Sequence, residues 1–268
     1  MISRAIAQAI VRDGVIVARS DDFDEAWRPE VERIVEGWGL PPGVLAPESL
    51  FAVRFGRRQA AVVAVKDRKF RFLILSRPLF NAIPDPFAIV GAFPPSWDGP
   101  ATLPTLEWPP EPLPPRTVEQ LDAIFKHGDG PFLLGACQTL VDSGRIALKR
   151  DKPEPEMIRD LWMLLPDSTR RQTWPATFAY STTLQFGLVV LPAIPEAGLP
   201  GYLSEDQARD YPESRYEREL QFAVEHNDPR TLNKLINRRS SAETLRLAMW
   251  MVLAAVAAAI LMRILMVV

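Results

Sequence analysis

Residues 50–76 read LFAVRFGRRQAAVVAVKDRKFRFLILS, and this stretch decides the fold of the first half of the chain. Three runs rich in β-branched and aromatic residues, LFAVRF, AAVVAV and FRFLILS, are separated by the charged segments GRRQ and KDRK. Branched and aromatic side chains favour strands, and short charged segments suit exposed turns. The stretch therefore predicts a three-stranded antiparallel meander.

The residues before the meander predict a hairpin and a helix. IAQAIV and VIVARS flank Arg12-Asp13-Gly14, and Asp-Gly supplies the positive φ that a tight turn needs. Apolar residues between positions 22 and 38 recur at spacings of three and four, which indicates an amphipathic helix that ends at Gly39. They are Phe23, Trp27, Val31, Ile34, Val35 and Trp38.

The segment after the meander holds nine prolines between Pro94 and Pro115, a density that excludes a helix or a central strand. Two interpretations remain open. Pro109, Pro112, Pro115 and Arg116 could present a polyproline II face to an SH3-like partner. We favour a belt packed on the domain, because the interleaved apolar side chains need burial; they are Trp97, Leu103, Leu106 and Trp108.

Beyond residue 117 the pattern alternates between helix and strand, which is typical of an α/β half. We predict helices at Val118 to Lys126, at LLGACQTLVD and at PEPEMIRDLWMLLP, and strands at IALK and LQFGLVVLP. Two short helices follow between residues 213 and 237, broken at Asn227-Asp228-Pro229.

The end of the chain predicts a membrane anchor. LAMWMVLAAVAAAILM carries no charge, and residues 247–268 would span roughly 33 Å as a helix. The basic residues Lys234, Arg238, Arg239 and Arg246 place the preceding domain in the cytoplasm by the positive-inside rule. The residues that define this expected anchor are Leu247, Trp250, Leu253, Ile260 and Arg263.

These elements predict an α+β fold in three parts. Residues 1–195 form a cytoplasmic domain with an N-terminal antiparallel meander and a mixed α/β C-terminal half, with a subdivision near residues 94–116. Residues 196–239 form a juxtamembrane helical hairpin. Residues 240–268 form one C-terminal transmembrane helix. The expected location is the cell (inner) membrane, single-pass, with the bilayer as one partner.

Composition excludes several classes of function. The chain has 31 basic and 33 acidic residues, so no basic field favours nucleic acid. The single cysteine, Cys137, has no partner for an internal disulfide and suits a small core position. His127 and His226 lie in no metal-ligand spacing, and no GxxxxGK[ST] loop is present, so we expect no metal and no cofactor.

One set of residues could carry hydrolytic chemistry. His127, Asp142 and Ser143 are the residue types of a nucleophile and its base. No GxSxG elbow supports this set, and a turn histidine is the simpler interpretation. The sequence therefore favours a protein without catalysis.

A second candidate site is the pair Arg170 and Arg171, which follows Ser168 at a predicted helix start. Paired arginines near a helix N-terminus can bind a phosphate or an acidic partner. The alternative that we favour is a structural ion pair with Asp160 or Asp167.

A repeated element of the form LLPxxxR followed by aromatic and threonine positions gives a family resemblance. Residues 130–192 resemble the core of the bacterial GTPase-associated proteins, and the positions that carry the resemblance are Leu164, Leu165, Pro166, Arg170, Trp174, Thr177 and Phe178. Trp174-Pro175 departs from that family, which usually has a phenylalanine there. The resemblance implies an adaptor that works beside a small GTPase, without a catalytic centre.

The sequence thus predicts a membrane-tethered cytoplasmic adaptor whose partner is a small GTPase or another bacterial signalling protein. A membrane-bound hydrolase and a purely structural membrane-associated domain are the alternatives.

Overall fold

The computed structural model describes residues 3–97, 100–238 and 249–251. Ten strands in these residues form one sheet in the order β6-β2-β1-β5-β4-β3-β9-β10-β8, with β7 paired to β1 beside that path. Ten α-helices and one 3-10 helix accompany the sheet in the same residues.

The predicted hairpin and meander are confirmed. Strands β1 (Ala5–Arg12) and β2 (Val15–Ser20) are antiparallel, and Asp13 and Gly14 between them have φ of 50° and 81°. Strands β3 (Ala46–Phe55), β4 (Gln59–Asp67) and β5 (Lys69–Ser76) are antiparallel neighbours. Strand β1 also pairs with β5, so the hairpin extends the meander into one sheet.

The predicted amphipathic helix is also confirmed. A 3-10 turn at Glu25–Trp27 leads into α1 (Arg28–Trp38), which ends at Gly39 with a φ of 83°. A Cβ at position 39 would lie 2.6 Å from the Cβ of Ser181, so the close approach also requires glycine. The indole of Trp38 donates to the Phe178 carbonyl oxygen at 3.0 Å and ties α1 to the second half.

Four short elements lie between β5 and the second half: α2 (Arg77–Ala82), α3 (Pro86–Ala92), β6 (Thr102–Leu103) and β7 (Leu106–Glu107). The indole of Trp108 is buried and meets the Phe93 ring edge to face at 6.0 Å between centroids. Leu103 is buried as well. The Pro-rich segment is thus a packed belt.

The second half contains the predicted alternation of helices and strands. In chain order its elements are α4 (Val118–His127), α5 (Gly130–Val141), β8 (Ile146–Lys149), α6 (Pro155–Leu164), α7 (Asp167–Arg170), β9 (Pro175–Ala176), β10 (Leu188–Leu191), α8 (Glu205–Arg209), α9 (Arg215–Glu225) and α10 (Pro229–Ile236). Helices α9 and α10 contribute to the main core through seven buried side chains: Tyr216, Leu220, Ala223, Val224, Leu232, Leu235 and Ile236.

The predicted α+β class is wrong. Strand β10 is parallel to β8 and β9, and β9 joins β3 through the pair Phe51 and Ala176. The two halves therefore share a single mixed α/β sheet. The link was missed because β9 is only two residues long, too short to produce an alternating pattern.

Two hydrophobic layers cover the two faces of this sheet, as the side-chain alternation of β4 illustrates. Ala61, Val63 and Val65 belong to the larger core beneath α1, α5 and α6. Ala60 and Val62 face the smaller layer under α2, α3 and the belt. A strand buried on both faces reads as a continuous apolar run, which explains AAVVAV.

The predicted membrane anchor is also corrected. No helix among the described residues is long and apolar enough to cross a membrane. For the part of the chain that the structure describes, three predictions are therefore wrong: the transmembrane helix, the tail-anchored topology and the single-pass inner-membrane localisation. Of the residues that defined the anchor, Trp250 is described and is exposed. The others lie outside the described residues: Leu247, Leu253, Ile260 and Arg263.

Candidate functional site

A polar cavity of about 780 Å³ lies between the two halves of the described chain. Its walls come from α1, the end of β3, the C-terminal end of α5, the loop after α7 and the start of α9. Its polar and charged lining residues include Glu30, Arg33, Arg54, Gln138, Asp142, Ser143, Arg145, Ser168, Thr169, Gln172, Thr173, Thr183, Gln185, Ser214, Arg215 and Arg238. A volume of this size admits a ligand of several tens of atoms or a side-chain cluster of a partner.

The C-terminal end of α5 forms one wall because the chain turns there sharply. Ser143 has a φ of 68°, and Gly144 approaches the preceding turn so closely that a Cβ would lie 2.7 Å from Thr139 Cγ2. The Gly144 amide donates to the Thr139 carbonyl at 2.8 Å, which closes the helix. This turn leaves Asp142 and Ser143 exposed at the cavity.

Helix α7 and the loop after it form a second wall. Ser168 and Thr173 are mostly buried, and Gly187 of the neighbouring chain segment leaves room for the Thr173 methyl group, which would otherwise lie 2.7 Å from a Cβ. Trp174 follows at the cavity wall, half-buried. Four polar side chains of this wall make no hydrogen bond to the described protein: Ser168, Thr169, Gln172 and Thr173.

The two carboxylates that line the cavity are already engaged. Glu30 accepts two hydrogen bonds from the Arg33 guanidinium, at 2.8 and 2.9 Å, and one from the Gly56 amide at 3.0 Å. The hydrogen bond from Arg33 lowers the pKa of Glu30 more than burial raises it. Asp142 accepts from the Gln138 side-chain amide at 2.9 Å.

Three of the lining arginines, in contrast, have no carboxylate partner within the described residues: Arg54, Arg145 and Arg238. Arg54 makes one hydrogen bond, from Nε to the Gly56 carbonyl at 3.2 Å. Arg145 lies 5.9 Å from the centre of the Tyr202 ring. Among the described residues, the cavity lining therefore carries more arginine than carboxylate to pair with it.

Behind the cavity wall, the guanidinium of Arg77 packs against the Trp174 ring at 4.5 Å from its centre. Arg77 donates from Nη2 to the Arg171 carbonyl at 2.8 Å, while its buried Nη1 has no hydrogen-bond partner. Burial, and then the charge of Arg54, lowers the pKa of Arg77. A buried donor without an acceptor costs about 1–3 kcal/mol. The unpaired donor of Arg77 thus lies buried beside Trp174, and Arg77 does not line the cavity.

The structure separates the residues of the predicted hydrolase set. Asp142 and Ser143 lie at the C-terminal end of α5, whereas His127 ends α4 just before the N-terminus of α5. Helix α5 has 12 residues and is about 18 Å long, so His127 lies far outside hydrogen-bond reach of Ser143. The described residues thus hold no Ser/His/Asp constellation at this position.

The pair Arg170 and Arg171 is used internally. Arg170 is buried and forms ion pairs with Asp85 and, at 3.6 Å, with Asp167. Arg171 donates from Nε to the Asn81 carbonyl at 2.9 Å. The expected ion pair with Asp167 is present, but Asp85, 85 residues earlier in the chain, is the closer partner.

Arg116, a residue of the polyproline interpretation, is buried beneath the same region. It donates to the carbonyls of Met163 and Leu165 and forms an ion pair with Asp167 at 2.5 Å. Burial, together with the charge of Arg170, lowers the pKa of Arg116 to about 10. Its guanidinium holds the end of α6 and does not face a partner.

Sequence reasoning missed the role of two arginines of the cavity wall, Arg54 and Arg145. Arg54 is a polar position within a predicted strand, and Arg145 lies just before the predicted strand IALK. Only the tertiary fold brings them to one cavity, about 90 residues apart along the chain. An unpaired arginine in a buried strand pattern was the available signal.

Comparison with known proteins supplies no relative. No family model matches the chain, and neither a curated protein nor a solved structure matches it.

Proposed function

We propose that this chain is an interaction protein that binds a signalling partner through the polar cavity and carries out no catalysis of its own. The supporting observation is the imbalance of the cavity lining: its carboxylates are engaged, while Arg54, Arg145 and Arg238 have no carboxylate partner in the described chain. The resemblance of residues 130–192 to GTPase-associated proteins makes a small GTPase the first partner to test.

The physical argument is complementarity. A guanidinium pairs best with a planar or tetrahedral oxyanion, because its donors lie in a fixed fork. A cavity with surplus donors and few free acceptors therefore favours a partner that presents carboxylate or phosphate oxygens. Complementary charge also raises the association rate and penalises wrong partners.

A hydrolase has less support, because His127 lies beyond the opposite end of α5 from Ser143. A nucleophile must lie within hydrogen-bond reach of its base, either directly or through one water molecule. No rearrangement short of unwinding α5 would satisfy that requirement.

The test is partner binding by the full-length chain and by a double variant, Arg54→Glu with Arg145→Glu. Arg57→Glu is the matched control, because Arg57 is exposed in the turn after β3 and does not line the cavity. We expect a purified small GTPase or a captured signalling protein to bind the wild type and the control but not the double variant. Equal binding by all three proteins would show that the cavity is not the contact surface.

A further inference from the structure

We propose that the cavity binds an extended acidic segment of a protein partner, with Arg54 and Arg145 pairing with two carboxylates about four residues apart in that segment. This inference rests on the proposed function, because it names the part of the partner that enters the same cavity. It adds a geometry that the charge imbalance of the lining does not supply.

The first support is the place of the two arginines at one end of the sheet. Strands β3, β9, β10 and β8 are consecutive neighbours, and β3 runs antiparallel to the other three. The residues just before β9, β10 and β8 therefore lie at the same end as Arg54: Trp174, Gly187 and Arg145. Arg54 and these three residues all line the cavity. The Gly187 amide donates to the Trp174 carbonyl, and the Ile146 amide to the Gly187 carbonyl, each at 2.9 Å.

This arrangement sets the distance between the two positions. Neighbouring strands lie about 4.8 Å apart, so the backbones of Arg54 and Arg145 are separated by three strand spacings, or about 14 Å. An extended segment rises about 3.3 Å per residue, so two side chains about four residues apart lie on one face and about 13 Å from each other. The two distances match. Two separated guanidiniums therefore favour two separated carboxylates over one compact anion.

The second support is that both arginines are available to a carboxylate. Neither forms an ion pair within the described part of the chain. Arg54 donates from Nε to the Gly56 carbonyl at 3.2 Å, which leaves both Nη nitrogens of its fork without an acceptor in the described protein. The Arg145 guanidinium lies 5.9 Å from the centre of the Tyr202 ring, which holds the cation without neutralising it. A carboxylate can accept two parallel hydrogen bonds from such a fork.

The third support is a neutral wall of hydrogen-bonding side chains. Ser168 and Thr173 are only 6% and 8% exposed, and their hydroxyls make no hydrogen bond to the described protein. Neither hydroxyl is among the fully enclosed unbonded atoms of that part of the chain, so both are reached from the cavity that they line. Gln172 adds an unbonded amide to the same wall. Hydroxyls and amides both donate and accept, as the backbone N–H and C=O groups of an extended segment require.

The experiment measures binding of the full-length chain to labelled synthetic peptides by fluorescence anisotropy at constant ionic strength. One peptide carries two glutamates at the proposed spacing in a background of serine and threonine. A second carries the same two glutamates side by side, and a third carries glutamines in their place. We expect the spaced peptide to bind about tenfold more tightly than the adjacent pair and about a hundredfold more tightly than the glutamine peptide, because each charge-assisted pair contributes about tenfold.

Three outcomes of this comparison overturn the proposal. Equal binding of the spaced and adjacent peptides would show general charge attraction. Tighter binding of inorganic pyrophosphate than of the spaced peptide would show a site for a compact anion. Absence of saturable binding by any of the peptides would show that the cavity takes no acidic segment.

The key variants are Arg54→Gln and Arg145→Gln, each tested with spaced peptides in which one glutamate is replaced by glutamine. Each variant should weaken binding of the two-glutamate peptide about tenfold. It should also become insensitive to the loss of the glutamate that it pairs with, while the loss of the other glutamate still weakens binding. If both variants respond to each glutamate as the wild type does, neither arginine contacts the segment and the proposal is wrong.

Two further variants control for charge and for the wall. Arg57→Gln makes the same change in net charge outside the cavity and should weaken binding by less than about twofold. A loss in Arg57→Gln as large as that in Arg54→Gln would overturn the site. Thr173→Val leaves every charge in place and should weaken the glutamate and glutamine peptides by the same factor, because its hydroxyl contacts the peptide backbone. Unchanged binding of every peptide by Thr173→Val contradicts the role of the wall.

The outcomes separate this inference from the proposed function. Peptide binding needs no whole partner, so spacing-dependent peptide binding without capture of a signalling protein retains the acidic-segment site and rejects the signalling partner. Partner capture that depends on the cavity, with no preference for the spaced peptide, retains the proposed function and rejects this inference.

Discussion

Arg170 and Asp85 form a buried ion pair that fastens α7 to the N-terminus of α3. Asp85 uses both carboxylate oxygens: Oδ2 accepts from Arg170, while Oδ1 accepts from the amides of Phe87 and Ala88, each at 3.0 Å. The same carboxylate is thus an N-cap and a counterion. Arg170 is left with one unpaired buried donor, Nε.

Replacement of Asp85 by alanine should be strongly destabilising. The change leaves the Arg170 charge buried with only the more distant Asp167, and it also removes the cap of α3. Breaking a buried pair by removing one partner costs about 3–5 kcal/mol. We expect the free energy of unfolding, measured by urea denaturation, to fall by about that amount.

An exposed ion pair provides the control for this measurement. Asp122 pairs with Lys126 at 2.5 Å on the surface of α4. Asp122→Ala should lower the free energy of unfolding by less than about 1 kcal/mol, because water and salt screen exposed pairs. Similar losses at Asp85 and Asp122 would show that the buried pair has no special role.

The packing of α5 against α8 depends on Gly135. A Cβ at this position would lie 2.1 Å from the carbonyl oxygen of Ala208, a backbone atom that cannot move without displacing α8. Gly135→Ala should therefore lower the free energy of unfolding by at least about 1–3 kcal/mol. Thermal unfolding followed by circular dichroism measures this effect.

Gly91 in α3 gives the opposite prediction for the same chemical change. Apart from its chain neighbours and its own helix backbone, no described atom lies within 4 Å of the position of a Cβ there. Gly91→Ala should raise stability by about 0.5–1 kcal/mol, because alanine restricts the unfolded chain and favours the helix. A loss of stability at Gly91 as large as that at Gly135 would refute the steric explanation.

Patterns within single elements allowed much of the fold to be predicted. The meander, the first hairpin, α1 and the helices of the second half have strong periodicity or turn residues such as Asp13-Gly14. The junction of the two halves could not be predicted, since it depends on the two residues of β9 and on one pair, Phe51 with Ala176. Long-range pairing leaves no local pattern.

The site was harder to predict than the fold. Asp142 and Ser143 were found because a helix end with exposed polar residues is visible in the sequence, and both line the cavity. The set that joined them to His127 was the alternative that we did not favour, and the structure separates its members, because α5 lies between His127 and Ser143. Arg170 was found for its charge, but its burial against Asp85 depends on a tertiary contact.

The thiol of Cys137 should be unreactive in the folded protein. The side chain is fully buried in α5, with Sγ 3.6 Å from the Leu164 carbonyl, and burial raises the pKa of the thiol well above its usual range. Because the thiolate is the reactive form, a thiol reagent should label Cys137 only when the protein opens. The rate at which the reagent labels Cys137 at pH 8 should therefore follow the rate or population of unfolding and increase with urea. Fast labelling of Cys137 without denaturant would place the thiol at the surface.

The last prediction concerns the pH dependence of stability, through Glu217 of α9. Its side chain is buried, its Oε2 has no hydrogen-bond partner, and burial, with a smaller contribution from Glu213, raises its pKa above the ordinary value of 4.5. Between pH 4.5 and the raised pKa, the folded state keeps a proton that the unfolded state has lost. Stability is therefore expected to fall as the pH rises through this window.

Glu217→Gln should flatten this fall, because the amide cannot ionise. The variant and the wild type should differ most above the window, where the wild type has lost the contribution, and the difference should shrink as the pH falls below 4.5. The control is Glu32→Gln on the exposed face of α1, which should leave the pH profile unchanged. Urea denaturation across the pH range measures the free energy of unfolding of both variants and the wild type. A wild-type free energy of unfolding that rises through the window would show that Glu217 is better solvated than its buried position indicates.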